Sequence, residues 1–122
     1  MMNTYFRARA PLRIGLAGGG TDVSPFSETH GGCVLNATID LYTHSYIKER
    51  QDKYLNINAL DLEESISLKI KDINNFPKNN NLPLHLAALK SINKNFSPKL
   101  NNGFDLISYS DCPAGSGLGS SS

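Results

Sequence analysis

The last residues of the chain combine glycine and serine in a pattern that could bind a phosphate group. In one-letter code, residues 113–122 are PAGSGLGSSS, and they follow an apolar segment. Glycine lets a backbone approach a ligand closely, and successive amides at a helix start present donors to an anion. Serine hydroxyls can bind phosphate or ligate Mg²⁺. Because the segment lacks a Walker-type lysine and has no Gly-x-Gly-x-x-Gly spacing, the residues alone leave two interpretations open: another phosphate loop, or a flexible glycine-serine tail.

A second group of candidate residues lies near the start of the chain. Residues 13–22 are RIGLAGGGTD, an arginine followed by a glycine run and an aspartate. A guanidinium such as that of Arg13 can stabilise the charge of a transferring phosphoryl group, and a carboxylate such as Asp22 can orient a sugar through its hydroxyls. On their own, the arginine could be a surface residue of a strand and the aspartate could assist helix capping.

Both segments resemble motifs of the GHMP kinases, the superfamily of galactokinase and of the homoserine, mevalonate and phosphomevalonate kinases. Residues 113–121 are similar to its Pro-x-x-x-Gly-Leu-Gly-Ser-Ser loop. Residues 9–22 resemble its N-terminal motif, which in galactokinases contains Glu-His where this chain has Gly19-Gly20. The run 17–22 and the segment 31–39 resemble the heptose 7-phosphate kinase and fucokinase-like branch.

The resemblance implies a role for each matched residue. Arg13 would stabilise the charge of the transition state, and Ser121 would be the hydroxyl ligand of Mg²⁺. The ATP phosphates would be bound by Gly115, Ser116, Gly117, Leu118, Gly119 and Ser120. The acceptor sugar would be bound by Gly18, Gly19, Gly20, Thr21 and Asp22. The family's catalytic aspartate and its acidic Mg²⁺ ligand lie beyond the glycine-rich loop, so these 122 residues do not contain them.

These roles imply a sugar kinase that uses ATP and Mg²⁺ as cofactors. The expected acceptor is the anomeric hydroxyl of D-glycero-D-manno-heptose 7-phosphate, in the synthesis of GDP-heptose for surface polysaccharide. Two alternatives stay open: an L-fucokinase-like or other GHMP sugar 1-kinase, and a truncated, non-catalytic nucleotide-binding module. We expect residues 1–122 to be the N-terminal ATP- and sugar-binding part of a kinase, inactive alone because the C-terminal domain is absent from this sequence.

The hydrophobic pattern predicts the elements that position these residues. Residues 3–17 predict two extended segments interrupted at Pro11, and Ser24-Pro25 predicts a short helix that ends at Gly31-Gly32. Residues 33–70 alternate as strands do, with a hairpin connection at Gln51-Asp52. A helix is predicted by the spacing of Leu82, Leu86, Leu89, Ile92 and Phe96.

The last predicted strand runs from Phe104 to Tyr109, directly before the glycine-rich loop. This order of elements predicts an α+β fold, with a mixed, mainly antiparallel sheet and helices on one face. The resemblance implies more narrowly the ribosomal protein S5 domain 2-like domain of the GHMP kinases.

Composition limits the classes of partner. The net charge is +1 and charged residues make up 19% of the chain without long blocks of one sign, which argues against nucleic acid and membrane partners. We expect a cytoplasmic protein because no apolar run or secretory signal is present. Cys33 and Cys112 are predicted to be free and buried. The expected partners are a sugar phosphate and ATP, and self-association as a homo-oligomer stays open.

Overall fold

In the computed structural model, the described residues, 5–76, 80–96, 101–113 and 115–118, form five β-strands, two α-helices and one 3₁₀ helix. The strands are β1 (Tyr5–Ala17), β2 (Leu35–Glu49), β3 (Tyr54–Ala59), β4 (Glu64–Lys69) and β5 (Phe104–Ser110). The α-helices are α1 (Phe26–His30) and α2 (Pro83–Phe96), and the 3₁₀ helix is Ile70–Asp72.

The strands form a single mixed sheet in the order β1-β2-β5-β3-β4. Strand β3 is antiparallel to β4 and parallel to β5, so that Ile57 lies opposite Ile66 on one side and Leu106 on the other. Most of the sheet is antiparallel. The predicted α+β fold with a mixed, mainly antiparallel sheet is therefore confirmed.

The predicted hairpin at Gln51-Asp52 is wrong, because β5 lies between β2 and β3. Main-chain bonds on both sides of the turn hold the approach to β5: Arg50 N–H donates to Gly103 O at 2.9 Å, and Gly103 N–H donates to Asp52 O at 2.6 Å. Arg50 also forms ion pairs with Asp52 at 2.5 Å and Asp105 at 2.8 Å. The turn between β2 and β3 is thus hydrogen-bonded to Gly103, directly before β5, which comes much later in the sequence.

The same ion pairs shift the pKa values of Arg50 and Asp52. The hydrogen bond from Arg50 is the main reason that the pKa of Asp52 falls to about 2. The pKa of Arg50 is raised, first by its side-chain hydrogen bond to Asp52 and next by that to Asp105. Arg50 and Asp52 therefore remain charged across the physiological pH range.

Strand β1 is continuous through Pro11, so the predicted interruption is also wrong. β1 is the first strand in the sheet order, and an edge strand tolerates a proline because one side of it needs no hydrogen-bond donor. The short helix α1 agrees with the prediction. It follows Pro25 and ends at Gly31, whose φ of 74° is a conformation that favours glycine.

The chain divides into two compact units, residues 1–8 with 44–109, and residues 9–43 with 110–122. In the first unit, the side of α2 that carries Leu86 packs on the sheet. A cluster of buried core residues there consists of Ile57, Ala59, Leu82 and Leu86. The predicted helix is confirmed, although Ile92 and Phe96 near its end are 50% and 78% exposed, so its buried face is shorter than the pattern predicts.

A polar contact also joins α2 to the sheet. His85 Nε2 lies 2.7 Å from the hydroxyl oxygen of Ser108, which is buried on β5. Burial lowers the pKa of His85, and the charge of Asp61 opposes that shift without cancelling it. Folding therefore favours the neutral imidazole.

This burial predicts a pH dependence of stability. Above the ordinary His pKa of 6.5, the contribution of neutral His85 is fully present. As the pH falls below 6.5, the unfolded chain binds the proton more readily than the folded chain, so the free energy of unfolding decreases. We expect urea unfolding between pH 7.5 and 5.5 to show a smaller loss of stability in His85→Gln than in the unmodified chain. The exposed His30, changed to Gln, is the control and should keep the full loss; an unchanged loss in His85→Gln would contradict the prediction.

The close packing of Gly103, directly before β5, against the backbone of Tyr54 predicts that Gly103 tolerates no side chain. A Cβ atom at this residue would lie 1.9 Å from Tyr54 O, so the backbone would have to move. Overpacking of this kind costs about 1–3 kcal/mol, and we expect Gly103→Ala to lower the melting temperature accordingly. Gly15→Ala is the matched control, because its Cβ would have an ordinary 3.8 Å contact with Asn36 Oδ1. Equal melting temperatures for the two variants would disprove this role of Gly103.

Candidate functional site

The two motifs from opposite ends of the sequence meet in the second unit. The backbone N–H of Arg13, on β1, donates a hydrogen bond to the carbonyl oxygen of Leu118 at 3.1 Å. Leu118 belongs to the glycine-rich segment that was predicted to bind phosphate. The structure therefore brings the predicted arginine and the described part of the predicted loop into direct contact.

Two glycines of the loop have positive φ angles. Gly115 and Gly117 have φ values of 80° and 74°, and a Cβ at either residue would meet nothing within 4 Å. Glycine is thus required there by conformation, and space is open beside it. Residues with positive φ next to residues with negative φ can turn successive amides towards one point, where they can bind a phosphate. Gly119, Ser120 and Ser121 lie outside the described residues, so their predicted roles stay predictions.

Cys112 and Ser116 fix the start of the loop. The sulfur of Cys112 lies 3.1 Å from the hydroxyl oxygen of Ser116, and Ser116 N–H donates to Pro113 O at 3.3 Å. Cys112 is 7% exposed, as predicted, whereas Cys33 is exposed, so the prediction of a buried thiol is wrong for Cys33. The buried side chain of Cys112 thus contacts the first part of the loop. The glycine-serine composition of the loop did not indicate this contact.

Asp111 connects the end of β5 to β2. Its backbone N–H donates to Tyr42 O at 2.9 Å, and its carboxylate Oδ2 accepts the Tyr42 N–H at 2.8 Å. The carboxylate therefore accepts a hydrogen bond that a main-chain carbonyl accepts in a regular strand pair. The pairing with β2 thus extends one residue past β5. Sequence reasoning assigned no role to this residue, because a carboxylate before a loop has no pattern that distinguishes it from a solvated one.

The direction of the Arg13 side chain follows from the burial of its neighbour on β1. Leu12 is 3% exposed, and because successive side chains of a strand point to opposite faces, its burial directs Arg13 to the other face. The Arg13 side chain is exposed and forms no ion pair with any residue that the structure describes. Its charge is therefore available to an anion.

The predicted sugar-binding residues form a tight turn after β1. Gly18 has a φ of 78°, and a Cβ on it would lie 1.9 Å from Cys33 O. Gly19 and Gly20 have open space around them, and Asp22 is exposed. The hydroxyl of Thr21 instead lies against main-chain atoms, 2.7 Å from Gly18 O. The structure thus keeps the five predicted residues together, with different surroundings for each.

Among the described residues, no group of three or more His, Cys, Asp or Glu side chains could hold a metal ion. No helix in the described ranges is long and apolar enough to cross a membrane.

Comparisons with known proteins give the same superfamily as the motifs. A curated relative, D-glycero-alpha-D-manno-heptose 7-phosphate kinase of Campylobacter jejuni, is 38% identical over 95% of this chain and 33% of its own length. Galactokinase of Clostridium beijerinckii is 30% identical over 92% of this chain and 28% of its own length. No protein-family model matches the chain.

The fold of this chain is also similar to that of a solved structure. The crystal structure of a D-glycero-D-manno-heptose 1-phosphate kinase from Bacteroides thetaiotaomicron matches with a TM-score of 0.81 and 38% identity, over 95% of this chain and 37% of that one. The chain thus spans about a third of the length of the relatives it matches. These likenesses confirm the resemblance to the GHMP kinases.

The link between Asp111 and Tyr42 predicts a local loss of order when the carboxylate is removed. Asp111→Ala leaves the Tyr42 amide without this acceptor, at a cost of about 1 kcal/mol, and Asp111→Asn keeps one acceptor oxygen and loses less. Hydrogen exchange of the Tyr42 amide is the measurement, and we expect the fastest exchange in the alanine variant. Equal protection of that amide in all three proteins would show that Asp111 does not hold β2.

Proposed function

Because the chain resembles the GHMP kinases in sequence and in fold, we propose that residues 1–122 are the N-terminal ATP- and sugar-binding part of a sugar kinase. The observation that carries the proposal is the hydrogen bond between Arg13 N–H and Leu118 O. It puts an exposed arginine on the strand next to a loop whose glycines have positive φ and open space. A cation beside a donor-rich loop is the arrangement that phosphoryl transfer requires.

The proposed reaction transfers the γ-phosphate of ATP to the anomeric hydroxyl of a sugar. The hydroxyl oxygen forms a bond to the γ-phosphorus, the bond from phosphorus to the β–γ bridging oxygen breaks, and ADP leaves. The hydroxyl proton passes to a base that these residues do not supply. In this reaction the amides of residues 115–118 bind the phosphates, and Arg13 stabilises the negative charge that develops on the transferring group.

Mg²⁺ supplies further neutralisation of the phosphate charge when it accompanies ATP. The residue proposed to ligate it, Ser121, follows the described part of the loop. The described residues that act on the phosphates are Arg13 and the loop amides.

We propose D-glycero-D-manno-heptose 7-phosphate as the acceptor. Two of the similar proteins are named as heptose phosphate kinases, and this supports the assignment. The open space at Gly19 and Gly20 supports it as well, because an acceptor larger than a hexose needs room beside the turn. Asp22, which is exposed and follows the turn, would bind the sugar hydroxyls.

The test uses the natural polypeptide that carries these residues. Offered ATP, Mg²⁺ and a panel of sugars, it should release ADP with heptose 7-phosphate and much less with free heptose, fucose or galactose. Turnover of fucose or galactose in preference to the heptose phosphate would replace the acceptor and leave the kinase assignment intact. Nucleotide binding without turnover of any sugar would instead identify a non-catalytic binding module.

Arg13 should carry a large part of the rate. Removal of one group that stabilises developing charge lowers kcat by roughly 10²–10³-fold, so we expect a loss of that size in Arg13→Met. Lys90→Met, which removes an exposed cation from α2, is the control and should keep the rate. The role of Arg13 is disproved if Arg13→Met retains the kcat of the control while both proteins bind ATP equally.

A further inference from the structure

The turn at residues 18–22 is joined to Cys33 by one side chain. Thr21 Oγ1 lies 2.7 Å from Gly18 O and 3.0 Å from Cys33 O, and it accepts the Cys33 N–H at 3.1 Å. The Thr21 N–H donates to Gly18 O at 3.1 Å. We call these four contacts the Thr21 clasp; they close the turn and connect it to a residue twelve positions later.

The clasp uses the hydrogen-bonding capacity of the hydroxyl. A threonine hydroxyl has one proton to donate and two lone pairs to accept with. Its proton is directed to the carbonyls of Gly18 and Cys33, and one lone pair accepts the Cys33 amide. While the clasp is intact, Thr21 has no proton left to donate to a bound sugar.

Glycines on both sides let the two segments come this close. A Cβ at Gly18 would lie 1.9 Å from Cys33 O, and a Cβ at Gly32 would lie 2.7 Å from Thr21 O. Both separations are shorter than any ordinary contact, so the main chains pack directly on each other. Gly19 and Gly20, in contrast, face open space inside the same turn. A side chain on either residue would therefore meet no packing partner, and the clasp supplies the described contacts that close the turn around them.

We propose that Thr21 is a positioning residue for the sugar acceptor. Its hydroxyl fixes the backbone of Gly19 and Gly20 and the direction in which Asp22 leaves the turn, and it does not itself donate to the sugar. This inference rests on the proposed function, because it takes residues 18–22 as the acceptor site. Within that set, Thr21 holds the turn, whereas Gly19, Gly20 and Asp22 face the ligand.

The test compares Thr21→Val, which keeps the shape and removes the hydroxyl, with Thr21→Ser, which keeps the hydroxyl. We expect Thr21→Val to raise the KM for the sugar about tenfold, the effect of one lost hydrogen bond, with the KM for ATP unchanged. Thr21→Ser should restore the sugar KM. Thr29→Val is the matched control, because that hydroxyl lies 3.1 Å from Pro25 O, within the loop and helix that precede Cys33, and lies outside the clasp.

A second variant acts on the clasp from the opposite side. Gly32→Ala leaves the Thr21 hydroxyl in place but forces the two main chains apart, so the sugar KM should rise in the same way. This variant decides the question if Thr21→Val does not fold. An unchanged sugar KM in the variants that fold, or an equal rise in the KM for ATP, would overturn the positioning role.

Hydrogen exchange of the Cys33 amide separates this inference from the proposed function. That amide should exchange faster in Thr21→Val than in Thr21→Ser or Thr29→Val, whether or not any sugar is turned over. If the unmodified protein phosphorylates no sugar, the proposed function and the acceptor role of Thr21 both fail, whereas the exchange rate still reports whether the clasp exists. Equal exchange in all of these variants would overturn the clasp itself.

Discussion

The pairing of β5 with β2 is the constraint on which the candidate site depends. Because β5 lies beside β2 in the sheet, the residues that follow it start from a fixed point. Asp111 extends the pairing to Tyr42 by one residue, and Cys112 then holds Ser116 at the start of the loop. The loop reaches β1 at Leu118, where it meets the backbone of Arg13. The pairing of β5 with β2 and the bond from Arg13 to Leu118 thus hold the described loop at its two ends.

The existence of the elements was predictable from the sequence, and their neighbours in the sheet were not. Alternating apolar residues identify a strand, because one face is buried, but the alternation is the same whichever strand lies alongside. The turn at Gln51-Asp52 therefore suggested the commonest solution, a hairpin. The ion pairs of Arg50 with Asp52 and Asp105 involve residues far apart in sequence, and a pattern confined to a short window contains no sign of them.

For the site, the resemblance to a family allowed Arg13, the turn and the loop to be proposed from sequence, and their roles stay predictions. The supporting residues could not be identified in this way. Asp111 acts through its contacts to Tyr42, Cys112 through its contact to Ser116, and Thr21 through its contacts to Gly18 and Cys33. A contact of this kind depends on where the backbone is placed by the whole fold, so the residue type alone gives no signal.

The glycines of the two motifs show why a glycine-rich pattern is hard to interpret. Gly18 and Gly32 are constrained by main-chain packing, since a Cβ would overlap Cys33 or Thr21. Gly115 and Gly117 are constrained by positive φ in open space. Gly19 meets neither constraint, and a side chain there would cost the fold nothing in packing. Gly19 is therefore a glycine that the packing of the fold does not require. The absence of a side chain there leaves room for a ligand and adds nothing to the packing of the chain.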